Sequence, residues 1–225
     1  MPDSVLVAGG TGALGEAVVD QLLEAGYAVT ATWIVPAERE RAREREGLTL
    51  IEADLTDHDS AAAAVASVAD LAAVVNLVGG FSMGPKVHET DPADFERQMR
   101  LNLTPAFLLA HAAMPRLVER GGGAFVGVST RAAVQPFAGA AGYVTSKAAV
   151  LAFVKALDAD YRDAGVRCNA VLPSVIDTPA NRESMPDADW SKWVAPAEIA
   201  RVIRFLVSDE SKPITGAGVP VYGRA

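Results

Sequence analysis

The chain has 225 residues, with 20 basic and 28 acidic side chains, a net charge of −8, and hydrophobic residues at half of its positions. A single cysteine, Cys168, excludes an internal disulfide and every multi-cysteine zinc site, and His58, His88 and His111 lack metal-ligand spacing, so no structural metal is expected. The acidic balance without a basic cluster argues against nucleic acid as a partner. The lack of a basic leader and of any apolar run of roughly eighteen residues argues against both export and a membrane span, which leaves the cytoplasm as the expected compartment.

Short apolar runs at 4–8, 28–33, 48–52, 73–78, 124–129, 167–172 and 218–221 read as strands, and several lack polar alternation, as strands buried on both faces do. Amphipathic stretches at 13–25, 36–45, 58–69, 92–119, 142–164 and 196–208 read as the intervening helices. Strand and helix in repeated alternation imply right-handed crossovers and a single α/β domain built on a doubly wound, seven-stranded parallel sheet. No linker, repeat or composition break divides the chain. Functional groups are then expected at the carboxyl ends of the strands. The mixed-sign run from Glu38 to Glu46 reads as a solvated helix face with pairs four residues apart.

The first strand runs into Gly9-Gly10-Thr11-Gly12-Ala13-Leu14-Gly15 and then a helix. Glycines allow close backbone approach, and a helix N-terminus offers free N–H groups to a pyrophosphate, so a dinucleotide site is expected. At the end of the second strand, where an acid would bind the adenosine ribose 2′-hydroxyl, stands Trp33. Without that acid, and with Thr32, Arg39 and Arg41 nearby in sequence, NADP(H) is slightly favoured over NAD(H). Asp54, followed by Leu55, ends the third strand where a carboxylate would accept from the adenine amino group; a turn cap is the alternative.

Tyr143 and Lys147 are four residues apart near a helix start, hence on one face, and a nearby ammonium favours a phenolate. Ser129 and Thr130, just past the fifth strand, offer hydroxyls to a substrate carbonyl. Asn76 and Gly79-Gly80 end the fourth strand. Asn102 lies within the helix that begins at Asp91-Pro92, and Pro105, which cannot donate to the Leu101 carbonyl, is expected to kink that helix and open carbonyls beside Asn102 to a water.

Together these residues resemble the short-chain dehydrogenase/reductase family over nearly the whole chain, 4–223. The glycine turn matches the family's TGxxxGxG with Ala8 in the place of Thr and Gly12 displaced by one; Asn76-Leu77-Val78-Gly79 matches NNAG; YxxxK is intact; and Pro173-Ser174-Val175-Ile176-Asp177-Thr178 matches PGxxxT. The family's serine stands thirteen before the tyrosine, at Thr130, with Ser129 adjacent. The resemblance implies an NAD(P)-dependent oxidoreductase acting on a small carbonyl or alcohol. Tyr143 would be acid and base, Lys147 would hold the nicotinamide ribose, and Asn102 would hold a relay water. Ile176 (through its backbone) and Thr178 would meet the carboxamide. It also implies a homodimer or homotetramer through the 92–119 and 142–164 helices. Segment 179–195, with Met185, Trp190 and Trp193, is expected to form a substrate lid, with a small structural helix as the alternative, and Phe81, Met83, Val134 and Phe137 to line the pocket. Local similarity to dihydropteridine reductase in the glycine turn and in 172–193 keeps a dihydropteridine- or quinone-type reductase as an alternative, and a non-catalytic NADP-binding sensor or scaffold as another.

Overall fold

The structure is a computed structural model that describes residues 3–224. The seven expected strands are present as β1 (Ser4–Ala8), β2 (Ala28–Trp33), β3 (Leu48–Glu52), β4 (Leu71–Asn76), β5 (Gly123–Val128), β6 (Val166–Pro173) and β7 (Gly218–Val221). All neighbours are parallel, in the order β3-β2-β1-β4-β5-β6-β7. The order reverses between β1 and β4, and that crevice at the carboxyl edge is where such sheets hold their ligands.

The apolar runs resolve into two faces once the pleat is imposed. Leu6, Val74 and Phe125 point to the layer of α3 (His58–Ala66), α5 (Thr104–Glu119) and α6 (Ala141–Tyr161), meeting Leu109, Met114, Leu117 and Val154. Val5, Val7, Val75 and Val126 point to the other layer, α1 (Ala13–Glu24) and α8 (Pro196–Val207), meeting Val18, Leu22, Ile199 and Ile203. Each fully buried side chain of this size contributes about 1.5–3 kcal/mol. Both faces of the sheet are therefore closed, and only its two edges are open to ligands.

Several boundaries differ from the sequence expectation, each for a local reason. The expected 92–119 helix is two helices, α4 (Pro92–Asn102) and α5, broken at Leu103, because Pro105 cannot close the bond to Leu101. The expected 36–45 helix stops as α2 (Pro36–Arg41). Its arginines do not pair along a solvated face. Instead Arg45 reaches α1, pairing with Glu16 at 2.7 Å and Asp20 at 2.5 Å, and Arg43 joins Asp20 at 2.7 Å. Strand β4 ends two residues early, since the Asn76 side chain turns back to accept the Val78 N–H at 3.1 Å. Helix α6 ends at Tyr161, followed by a single 3-10 turn and Gly165 at φ 79°. The final short helix, α7 (Pro179–Ser184), belongs to the segment after β6.

Candidate active site

The glycine turn lies between β1 and α1 and is pinned by β2. Thr32 accepts the Gly9 N–H on its side-chain oxygen at 3.0 Å and the Gly10 N–H on its carbonyl at 3.1 Å. Gly15 is obligatory, because a Cβ there would overlap the Gly9 carbonyl. Gly12 caps α1 with no side chain covering its amides, so the helix end is open to an anion. Glu16, the acid of that first turn, is neutralised by Arg45. Trp33 ends β2 and is partly exposed, and Leu55 is buried beneath the end of β3. Asp54 accepts from the Thr56 N–H at 2.9 Å and hydroxyl at 2.8 Å, which holds its carboxyl below the usual carboxylate range; it caps a turn and remains exposed.

The second half of the site gathers at the ends of β4 and β5 and the start of α6. Tyr143 sits in the first turn of α6 with the Thr130 hydroxyl beside its phenol. Burial outweighs the hydroxyl's influence and raises the phenol above the ordinary tyrosine value. Lys147 is buried, its ammonium donates to the Val128 carbonyl at 3.0 Å, and burial pushes it down to about 8. The direct hydrogen-bond partner of the Lys147 ammonium is thus the carbonyl at the end of β5.

The two candidate hydroxyls divide. Ser129 donates to the Lys147 carbonyl at 2.7 Å and is buried as a tie between β5 and α6, whereas Thr130 faces Tyr143 and accepts the Ala132 N–H at 3.3 Å. Asn102, fully buried, clasps Gly80 by both its groups: Oδ1 accepts the Gly80 N–H at 2.9 Å, and Nδ2 donates to the Gly80 carbonyl at 3.1 Å. Nδ2 also reaches Ser146 Oγ at 3.0 Å, and Ser146 donates to the Tyr143 carbonyl at 2.9 Å. The Asn102 side chain is thus committed to the β4–α4 turn and to α6. Between these groups lies Gly79, where a Cβ would stand 2.5 Å from Asn102 Oδ1 and 2.7 Å from Lys147 Nζ.

At the end of β6, the Pro173 carbonyl accepts from the Thr130 hydroxyl at 3.5 Å. Ile176 forms a bridge to Val194, and its carbonyl accepts from Asn181 Nδ2 at 2.8 Å. Thr178 caps α7 by accepting the Asn181 N–H at 3.2 Å, which leaves its hydroxyl proton to give. The 179–195 segment folds as α7 and a 3-10 turn, with Trp190 donating to the Met185 carbonyl at 3.0 Å and lying under Arg182.

Sequence reasoning missed Ser146 and Glu38. Ser146 carried a readable signal, lying within the Tyr143–Lys147 turn. Glu38 carried none, since only the placement of α2 brings its carboxylate to the Thr11 hydroxyl at 3.1 Å. A cavity of about 640 Å³ lies at the opposite, amino edge of the sheet, lined by Asp3, Arg120, Arg162, Arg167, Asp209 and Lys212. Its cations are taken by Asp3, Asp158, Asp209 and the carbonyls ending α8, so it is a zone of structural ion pairs.

Residues 3–189 match the short chain dehydrogenase family. The chain belongs to this family. It is 30% identical to acetoacetyl-CoA reductase of Paracoccus denitrificans over 96% of this chain and 95% of that protein. It is 32% identical to 2,5-dichloro-2,5-cyclohexadiene-1,4-diol dehydrogenase of Sphingobium indicum over 97% and 94%. A short-chain type dehydrogenase/reductase from Mycobacterium ulcerans superposes with a TM-score of 0.91 at 25% identity, covering 99% of this chain and 89% of that one. The protein is an NAD(P)-dependent oxidoreductase of the short-chain dehydrogenase/reductase type. Among the described residues no helix is long and apolar enough to cross a membrane.

Proposed function

We propose that the enzyme interconverts a small carbonyl compound and its alcohol, with Tyr143 as general acid in reduction and general base in oxidation. The carrying observation is the convergence of the Thr130 hydroxyl and the Tyr143 phenol at the mouth of a crevice whose floor holds the buried Lys147 ammonium. Thr130, rather than Ser129, orients the phenol and polarises the substrate oxygen, since Ser129 is spent on the Lys147 carbonyl. Asn102 is a positioning residue that fixes Gly79-Gly80 and the start of α6. The carbonyls at the α4–α5 break remain the acceptors for a relay water.

The residues fit a dinucleotide, because the uncapped α1 terminus meets a turn that admits no Cβ at Gly15, and Gly79 keeps open the space beside Lys147. The pyrophosphate would rest on the Gly9, Thr11, Gly12, Ala13, Leu14 and Gly15 turn. The adenosine would lie by Trp33, Asp54 and Leu55. The nicotinamide ribose would meet Asn76, Gly79, Tyr143 and Lys147, and the carboxamide Pro173, the Ile176 N–H and the Thr178 hydroxyl. Bound there, the cofactor supplies or accepts the hydride.

Three side chains bear on the NADP(H) preference suggested by Trp33. Thr32 is committed to Gly9, Arg39 faces a cavity by Leu48 and Leu50, and the Glu38 carboxylate stands at Thr11. That carboxylate stands at Thr11, where the pyrophosphate of either cofactor would rest, so it does not choose between them, and with no acid at the end of β2 the reading stays slightly with NADP(H). Segment 179–195 covers the nicotinamide side as a folded cap. A homodimer or homotetramer is supported by Phe95, Phe107 and Val118, exposed on α4 and α5.

Fluorescence titration with NADH and NADPH tests the cofactor reading. NADPH should bind more tightly than NADH, and tighter NADH binding would refute the NADP(H) reading. Tyr143→Phe should lose about 10³-fold in turnover with cofactor affinity nearly unchanged. Retained turnover would refute the acid/base role.

A further inference from the structure

Two loops at the mouth of the crevice expose large apolar side chains around the reactive phenol. Phe81 is 58% exposed, and its ring meets Tyr143 edge-on, with centroids 4.9 Å apart and planes at 86°. Phe137 lies 6.5 Å from Phe81, and Met83 and Val134 are 59% and 50% exposed. The loops are tied by the Gly84 N–H donating to the Gly139 carbonyl at 2.8 Å, and Met83 packs over Gly139. An exposed apolar cluster of this kind marks a surface that something covers, and here it adjoins the acid/base group.

Charge around the mouth is sparse or spent. Segments 81–87 and 134–140 hold one charged residue between them, Lys86. Arg131 donates to Gln135 at 2.7 Å and lies over the Tyr222 ring, while Arg182 makes a two-point pair with Asp177 and lies over Trp190. A phosphate- or sulfonate-bearing substrate needs a guanidinium fork or a clustered ammonium set to replace its hydration, and neither arginine is available for that.

We infer that the substrate is an uncharged carbonyl or alcohol bearing an aromatic or similarly flat apolar ring, which Phe81 and Phe137 hold against Tyr143. This rests on the catalytic reading above and names its substrate class. In reduction, the carbonyl carbon gains the hydride, the cofactor is oxidised, and the carbonyl oxygen takes the Tyr143 proton. Burying a ring here removes water from around the phenol while leaving the oxygen facing Thr130.

The test measures kcat/KM with the preferred cofactor for benzaldehyde, acetophenone and 1-tetralone against 4-formylbenzenesulfonate, acetoacetyl-CoA and acetone. The neutral ring compounds should lead by about tenfold or more, and Phe81→Ala should shrink their lead over acetone, chiefly through KM. Equal or faster turnover of the sulfonate or the CoA ester, falling in Lys86→Ala, would overturn the inference in favour of anion selection. Saturation-transfer NMR of acetophenone on the wild-type protein with cofactor separates the two readings. Transfer to the ring that is lost in Phe81→Ala sustains the pocket even if turnover fails, in which case the catalytic reading falls. Absence of transfer overturns the pocket itself.

Discussion

Two neighbouring hydroxyls and one buried amine carry most of what can be tested residue by residue. Ser129 and Thr130 differ by one position, yet just after β5 the chain turns so that one points inward to the Lys147 carbonyl and the other to Tyr143. Thr130→Val should therefore lower kcat by about 10²-fold with little loss of stability, while Ser129→Ala should cost roughly 1–3 kcal/mol in denaturant unfolding and affect kcat less. The reverse pattern would exchange the two roles. Lys147 bears on stability as well as chemistry. Burial lowers its folded value to about 8 from 10.5, so below pH 8 the buried charge costs stability in full. That cost is relieved as pH rises toward the unfolded value, because the unfolded chain then binds more protons than the folded one. Cofactor-free Lys147→Met, compared with wild type by thermal melting, should show its greatest relative stability at pH 7 and a shrinking advantage by pH 10. Comparing the two proteins at each pH cancels the opposite slope from Cys168, whose thiol burial pushes up to about 12.

The turn after β4 acts as a unit with the start of α6. Gly79 has no room for a side chain, and Gly80 is clasped at both backbone groups by Asn102, which reaches on to Ser146. A methyl at Gly79 has to displace both the Asn102 amide and the Lys147 ammonium, which are held by the Gly80 backbone and the Val128 carbonyl. Gly79→Ala is expected to lower cofactor affinity and turnover together by at least tenfold while the chain stays folded by circular dichroism; wild-type kinetics would show the turn to be slack. The break between α4 and α5 serves the same end, since it lets Asn102 end one helix and face the turn rather than continue along a straight rod.

Across the whole molecule, the chemistry is confined to the carboxyl edge of the sheet and the ion pairs to its amino edge, with the two apolar layers between them. The outer surface of α5 and α6 is less complete. Phe107 stacks on His111 and meets Phe153, yet remains 51% exposed. Light scattering at micromolar concentration should return a dimer or tetramer mass, and Phe107→Glu should shift it toward the monomer, because burying a carboxylate in an apolar interface is unfavourable. A monomer mass for the wild type would count against assembly through this face.

The fold class was readable from the sequence because strand and helix periodicities are local, and the glycine turn, the Tyr143–Lys147 spacing and the Asn76 turn are local signatures as well. Residue identity and spacing thus determined which groups meet at the carboxyl edge. Direction and partnership were decided by tertiary structure: that Lys147 reaches Val128 rather than the phenol, that Thr130 and not Ser129 faces Tyr143, that Arg45, beyond the end of α2, pairs with α1, and that Glu38 comes to Thr11. Each depends on a contact between residues distant in sequence. The choice in each case rests on burial and hydrogen-bond satisfaction, which exist only once the layers have packed.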